Sequence, residues 1–315
     1  MIKKGLKHTA ASLLVLSVVA GGGGSVFAQE GQPAPPHDQA SITAVPASPA
    51  VQKINQDYLK LLASGKLAQA LTYLNNHIAK VDTWTGSLMV LRFENAQKAA
   101  KLHARFNVDK TQKEIDRVLR KSGGDRTYAS MLKYVKDGTT RKLLTDARDQ
   151  GFLVTSAEVL YYPVINYTLY EKWKVSVGAD IKLYIEMMAV DTQKPRQLDW
   201  ALAIPWSELL KRNLDQEKFI LSYGGSNRIK QVKQQYEWTR EIVFYGDIKT
   251  LFDYETKKID PEALAAYKKA VAAGDTSRSP LLLKLSNFLK ALERNDGKLT
   301  KDLEKWLAQQ VPKAN

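Results

Sequence analysis

The chain has 315 residues, no cysteine, and 47 Lys+Arg against 33 Asp+Glu, a formal charge of +14. The lack of thiols excludes a disulfide framework and any cysteine nucleophile or metal ligand, so a hydrophobic core must hold the fold unaided, which a chain of this length can build. The basic excess points to an anionic partner.

The first 28 residues have the layout of an export signal. Lys3, Lys4 and Lys7 form a basic head, residues 11–20 are apolar, and Val26-Phe27-Ala28 offers small residues for cleavage after Ala28. The apolar run is too short for a membrane anchor, and the missing cysteine excludes lipidation at that point. An exported, cysteine-free, lysine-rich chain fits a Gram-positive exoprotein, secreted or wall-associated. Residues 29–50, rich in Pro, Ala and Ser, are expected to form a semi-extended linker.

Helical periodicity starts at Val51. Ile54, Tyr58, Leu61 and Leu62 lie on one face, Ser64-Gly65 breaks the helix, and Leu67, Leu71, Leu74 and Ile78 resume it. Further helices are expected over 87–105, 109–121, 127–136 and 140–149. Residues 49–150 hold 19 Lys+Arg and 10 Asp+Glu, while 151–315 hold 25 and 21, so the basic excess lies in the first part. Lys98, Lys101 and Arg105 share one helix face, as do Lys110, Lys113, Arg117 and Arg120; together they are the candidate anion-binding residues. Glu94, Asp109 and Asp116 each precede a cation of that set by four residues, the spacing of ordinary intrahelical ion pairs.

The stretch 152–206 is rich in aromatics. Tyr161, Tyr162, Tyr167, Tyr170, Trp173, Trp200 and Trp206 form either a core or a sugar-stacking surface. Phe152 to Val154 suit an extended segment. Pro163 suits the first turn of a helix reaching Trp173, and Ile181, Tyr184, Ile185 and Met188 mark a helix over 180–190. Longer helices are then expected over 206–223, over a segment capped by Ser226 and ending at Gly246, and after the cap pairs Asp260-Pro261 and Ser279-Pro280, with Thr300 capping the last.

The fold is therefore expected to be all-α, consecutive antiparallel helical hairpins forming a bundle or short α-solenoid, with a basic helical subdomain (51–150) and an aromatic-rich one (151–315). Residues 206–246, a helix ending in an aromatic, a small-residue turn and a second helix, resemble tetratricopeptide-type hairpins, with an echo at 57–80. The resemblance implies stacked hairpins; no 34-residue period is sustained.

Catalytic patterns are sparse. His37, His77 and His103 have no ligand spacing, no calcium loop is complete around Gly297, and neither a phosphate loop nor a serine elbow is present. No metal or cofactor is expected. Paired carboxylates in an aromatic stretch are the outline of a glycan hydrolase; Glu158, flanked by apolar residues, is the candidate acid for that alternative. The first expectation is a non-catalytic exported binding protein at the cell wall, docked on an anionic wall polymer or on another protein rather than on nucleic acid.

Overall fold

The computed structural model describes residues 48–158, 160–198, 201–247 and 251–313. The residues expected to form an export signal, most of those expected to form the 29–50 linker, and Trp200 lie outside them. The class is all-α: among the described residues there are thirteen α-helices and two small two-stranded sheets.

The N-terminal helices are α1 (Pro49–Ala63), α2 (Leu67–His77) and α3 (Thr83–Ala99). Pro49 and Ala50 thus open α1 instead of ending the linker, because Ser48 Oγ accepts from Val51 N–H and proline fits the first turn. Asp82 caps α3 through Thr85 N–H at 2.9 Å. The helix expected over 87–105 is two: α3 ends at Ala100 in extended backbone, and α4 (Leu102–Phe106) follows. Next come α5 (Asp109–Lys121), α6 (Tyr128–Tyr134) and α7 (Gly138–Asp149).

The stretch after Gly151 departs from the expected helix. Phe152–Ala157 (β1) pairs antiparallel with Leu160–Ile165 (β2), Val154 opposite Pro163. Pro163 therefore sits in a strand. Asn166 N–H donates to Gly151 C=O, which sets the alternation of bonded pairs and turns Pro163's missing donor away from β1. Residues Tyr167–Ser176 form a 3-10 segment, then α8 (Ala179–Gln193), the short strands β3 (Gln197–Leu198) and β4 (Ala201–Leu202), and the hairpin α9 (Trp206–Ser222) and α10 (Ile229–Tyr245). Ser226 does not cap α10; its hydroxyl donates to Asp180 at 2.6 Å, and Arg228 takes the cap position. The last helices are α11 (Pro261–Ala273), α12 (Pro280–Glu293) and α13 (Lys301–Gln310), capped by Asp260, Ser279 and Thr300.

Three apolar clusters make up the interior. One joins α1–α3 to the 3-10 segment and α8, around Tyr58, Phe93, Tyr170, Trp173 and Tyr184. A second lies under α4–α7 and takes Phe152 and Val154 from β1. The third holds Trp206, Leu209, Phe244, Tyr267 and Phe288. The first draws on residues from both sides of Gly151.

Candidate functional site

The site grows from α3. Val90, Phe93, Glu94 and Gln97 all lie on its buried face, so two polar side chains enter the core with the apolar ones. A buried carboxylate needs compensation, and Glu94 has four donors. Tyr167 and Tyr184 hydroxyls each donate to Oε1 at 2.6 Å. Lys98 Nζ lies 2.6 Å from Oε1, and Arg228 reaches Oε2 through Nε (3.0 Å) and Nη2 (2.7 Å). Burial alone would raise the Glu94 carboxyl, but Lys98 and Arg228 hold it below the ordinary carboxylate range. Burial, reinforced by neighbouring acidic groups, pushes the hydroxyls of Tyr167 and Tyr184 well above the usual tyrosine range. They are therefore neutral donors at any physiological pH.

The network extends both ways. Gln231 donates to Tyr184 at 2.7 Å and accepts from Lys98 at 2.9 Å. Gln97 accepts from Tyr170 and donates to the carbonyls of Gln150 (2.7 Å) and Gly151 (3.2 Å), tying α3 to the start of β1. Gly151 has φ +78°, and a Cβ there would stand 3.0 Å from Gln97 Nε2, so glycine serves both the backbone conformation and the close approach.

Lys98 and Gln97 open onto a cleft of about 780 Å³. One wall is the β1–β2 hairpin. The other runs from Met188 and Asp191 of α8 through Arg196 and Leu198 to Trp238 of α10. Arg196 lies over the Trp238 ring at 4.6 Å, donates to Thr239 at 2.6 Å, and pairs with Asp191. Asp191 also pairs with Arg212 (2.8 Å), which in turn holds Glu208 (2.8 Å). That second network has two acids for two arginines and is balanced. Glu94, Lys98 and Arg228 have one acid for two cations. Arg228 is almost fully buried, so the excess positive charge reaches the cleft at Lys98, whose side chain is 41 % exposed.

The other candidate cations are mostly engaged. Arg105 pairs with Asp146 (2.8 Å), Lys110 with Asp137 (2.5 Å), Lys113 with Asp109 (2.7 Å), Arg117 with Glu114 (2.7 Å) and Arg120 with Asp116 (2.5 Å). Lys101 is exposed. The intrahelical pairs anticipated for Glu94, Asp109 and Asp116 are all formed. Arg117 and the backbone N–H groups of Lys136 and Asp137 lower Glu114 to about 2, so this carboxylate locks α5 to the α6–α7 junction.

The aromatics divide. Tyr167, Tyr170, Trp173 and Trp206 are buried and belong to the core, not to a ligand surface, because their rings pack on Phe93, Tyr267 and one another. Tyr161 and Tyr162 stay half-buried on β2; Tyr162 stacks on His103 at the cleft wall. Glu158 is not the buried acid expected from its apolar neighbours. It stands exposed at the hairpin tip with φ +52°, because alternation ends at the turn. Among the described residues the cleft wall carries one carboxylate, Asp191, already shared by two arginines. Among the described residues, no group of three or more His, Asp or Glu side chains could hold a metal ion, and no helix is long and apolar enough to cross a membrane.

Sequence reasoning missed Arg196, Arg228 and Trp238: Arg228 meets Glu94, and Arg196 meets Trp238 and Thr239, across distant stretches of the chain. Glu94 and Gln97 left a signal: polar residues on an apolar stripe. No family model, curated protein or solved structure matches this chain.

Proposed function

We propose that this chain is an exported, non-catalytic binding protein acting at or near the cell wall, and that it captures an anionic, partly apolar ligand in the cleft between the β1–β2 hairpin and α8–α10. One observation carries the reading: the unbalanced positive charge of the Glu94–Lys98–Arg228 trio emerges at Lys98 inside an apolar-walled cleft. Leu198 and Trp238, about half exposed at the rim, supply apolar contact area, and the volume falls in the range of small-ligand sites. Asp191 at the cleft wall is committed to two arginines, and Glu94 behind it to lysine, arginine and tyrosine, which favours binding over acid–base chemistry at these two acids. The ion-paired α5 face leaves broad polyanion docking with less support than the cleft.

The test uses 8-anilinonaphthalene-1-sulfonate, an anionic apolar dye. The expected result is saturable fluorescence enhancement at about one dye per chain, weakened roughly tenfold or more by Lys98→Gln and unchanged by Lys113→Gln. Equal loss in both variants, or none in either, would overturn the cleft reading. Incubation with purified wall sacculi is expected to release no soluble fragments; release would return the hydrolase alternative.

A further inference from the structure

The β1 strand has an edge with nothing paired to it. Bonded pairs alternate along the hairpin from Gly151–Asn166, so Leu153, Thr155 and Ala157 turn their N–H and C=O groups toward β2, while Val154 and Ser156 turn theirs outward. On the opposite edge of the hairpin the outward groups of Tyr161 are satisfied: Gln112 Nε2 donates to its carbonyl at 2.7 Å, and its N–H donates to Gln112 Oε1 at 2.8 Å. Among the described residues, no such partner meets the backbone of Val154 or Ser156. Every residue of β1 borders the cleft. Val154 does so although its side chain packs in the cluster on the other face, so the main chain itself reaches the cleft. A two-stranded ribbon with a free edge is a template for a further strand.

We propose, building on the cleft reading above, that the ligand is an extended peptide that adds to the free edge of β1 as a third strand, with a carboxylate at Lys98. An antiparallel addition would form up to four main-chain hydrogen bonds, two each with Val154 and Ser156. Alternate side chains of the peptide would face the apolar cleft wall beside Leu153, Val164 and Leu198, which selects apolar residues at every second position. The carboxylate matches the charge at Lys98. This ammonium has three N–H groups; Glu94 and Gln231 take two. The third, together with the trio's excess charge, suits an acidic side chain or the peptide's own terminal carboxylate.

The test is fluorescence anisotropy of the full chain beyond residue 28 with a pool of N-terminally labelled hexapeptides. Valine or leucine alternates with threonine, and the peptides end in a free carboxylate, an amide, or glutamate amide. Saturable binding is expected for the two acidic forms and at least about tenfold weaker binding for the neutral amide; the stronger of the two acidic forms identifies the source of the carboxylate. Lys98→Gln should erase the preference for acid. N-methylation of alternate amides in one register should abolish binding, while methylation in the other register should leave it intact. Ser156→Pro removes an outward donor without touching the β1–β2 ladder and should weaken binding. Equal effects of both methylation registers, or no saturation below about 1 mM, would overturn strand addition. If the dye still responds to Lys98→Gln, the cleft reading survives that failure; if neither probe responds, both fall.

Discussion

Glu94 is an acid in a hydrophobic interior, and what surrounds it decides whether it supports or weakens the fold. Buried ion pairs are poor net stabilisers relative to apolar replacements, yet removing one partner leaves the other unpaired at a cost of about 3–5 kcal/mol. Glu94→Gln is therefore expected to lower stability by about 3 kcal/mol at pH 7, because Arg228 keeps its charge and loses its counterion. The pH dependence has a definite sign. The carboxyl lies below its ordinary 4.5 in the folded state, so the unfolded state binds more protons as pH falls. Its contribution is fully present above about 4.5 and is lost as pH drops through the folded value. Urea unfolding of the parent and the variant should diverge at pH 7 and converge in strong acid. A gap independent of pH would show that Glu94 does not act through its charge. Lys98 is the member of the trio that meets solvent, so the same residues link core stability to the cleft's charge.

At the scale of the element, α3 depends on a close approach. A Cβ at Gly86 would stand 2.1 Å from the carbonyl oxygen of Ser176 in the 3-10 segment. Glycine normally weakens a helix interior; here it lets α3 and that segment touch backbone to backbone. Gly86→Ala is expected to destabilise by about 1–3 kcal/mol despite alanine's higher helix propensity, read as a lower urea midpoint with an unchanged slope; a raised midpoint would refute the contact. Helices proved the legible part of the sequence. Asp260-Pro261, Ser279-Pro280 and Thr300 announce their starts locally, and caps act within one turn. The hairpin was hidden by Pro163, which serves equally as a first-turn helix residue and as a strand residue with its N–H side unpaired. The β-branched residues Val154, Thr155, Val164 and Ile165 on either side of a short turn were the counter-signal. Of the site, Lys98 was visible as a cation on a helix face, but Arg228 lies 134 residues from Glu94, and no periodicity reports a contact at that separation.

For the whole molecule, the question is whether its apolar clusters unfold together. The α9–α10 hairpin spans two of them: α9 places Leu209 and Leu210 in the C-terminal cluster and Phe219 in the one built on α3 and α8, while α10 places Val232 in the latter and Ile242, Val243 and Phe244 in the former. Ten residues of helix cover about 15 Å, so each helix is a beam held at both ends. Separating the clusters would expose Phe219 and Val232, or else Leu209, Leu210 and the α10 trio. Each large side chain exposed would cost about 1.5–3 kcal/mol. Even the smaller loss, Phe219 with Val232, comes to about 3–6 kcal/mol, a large fraction of an ordinary domain's stability, so a state with one cluster intact and the other open should not be populated. Trp173 reports on the first cluster and Trp306 packs against the other. In protein labelled with 5-fluorotryptophan, the folded fluorine resonances of these two residues are expected to vanish at the same urea concentration. Midpoints more than about 0.3 M apart would mean that α9 and α10 yield at their centre, because a midpoint difference at an ordinary slope measures a free-energy gap between two separately unfolding parts. The cleft depends on the same coupling. Lys98 belongs to α3, and Trp238 is carried by α10, so its two walls keep their spacing only while both clusters hold the beam.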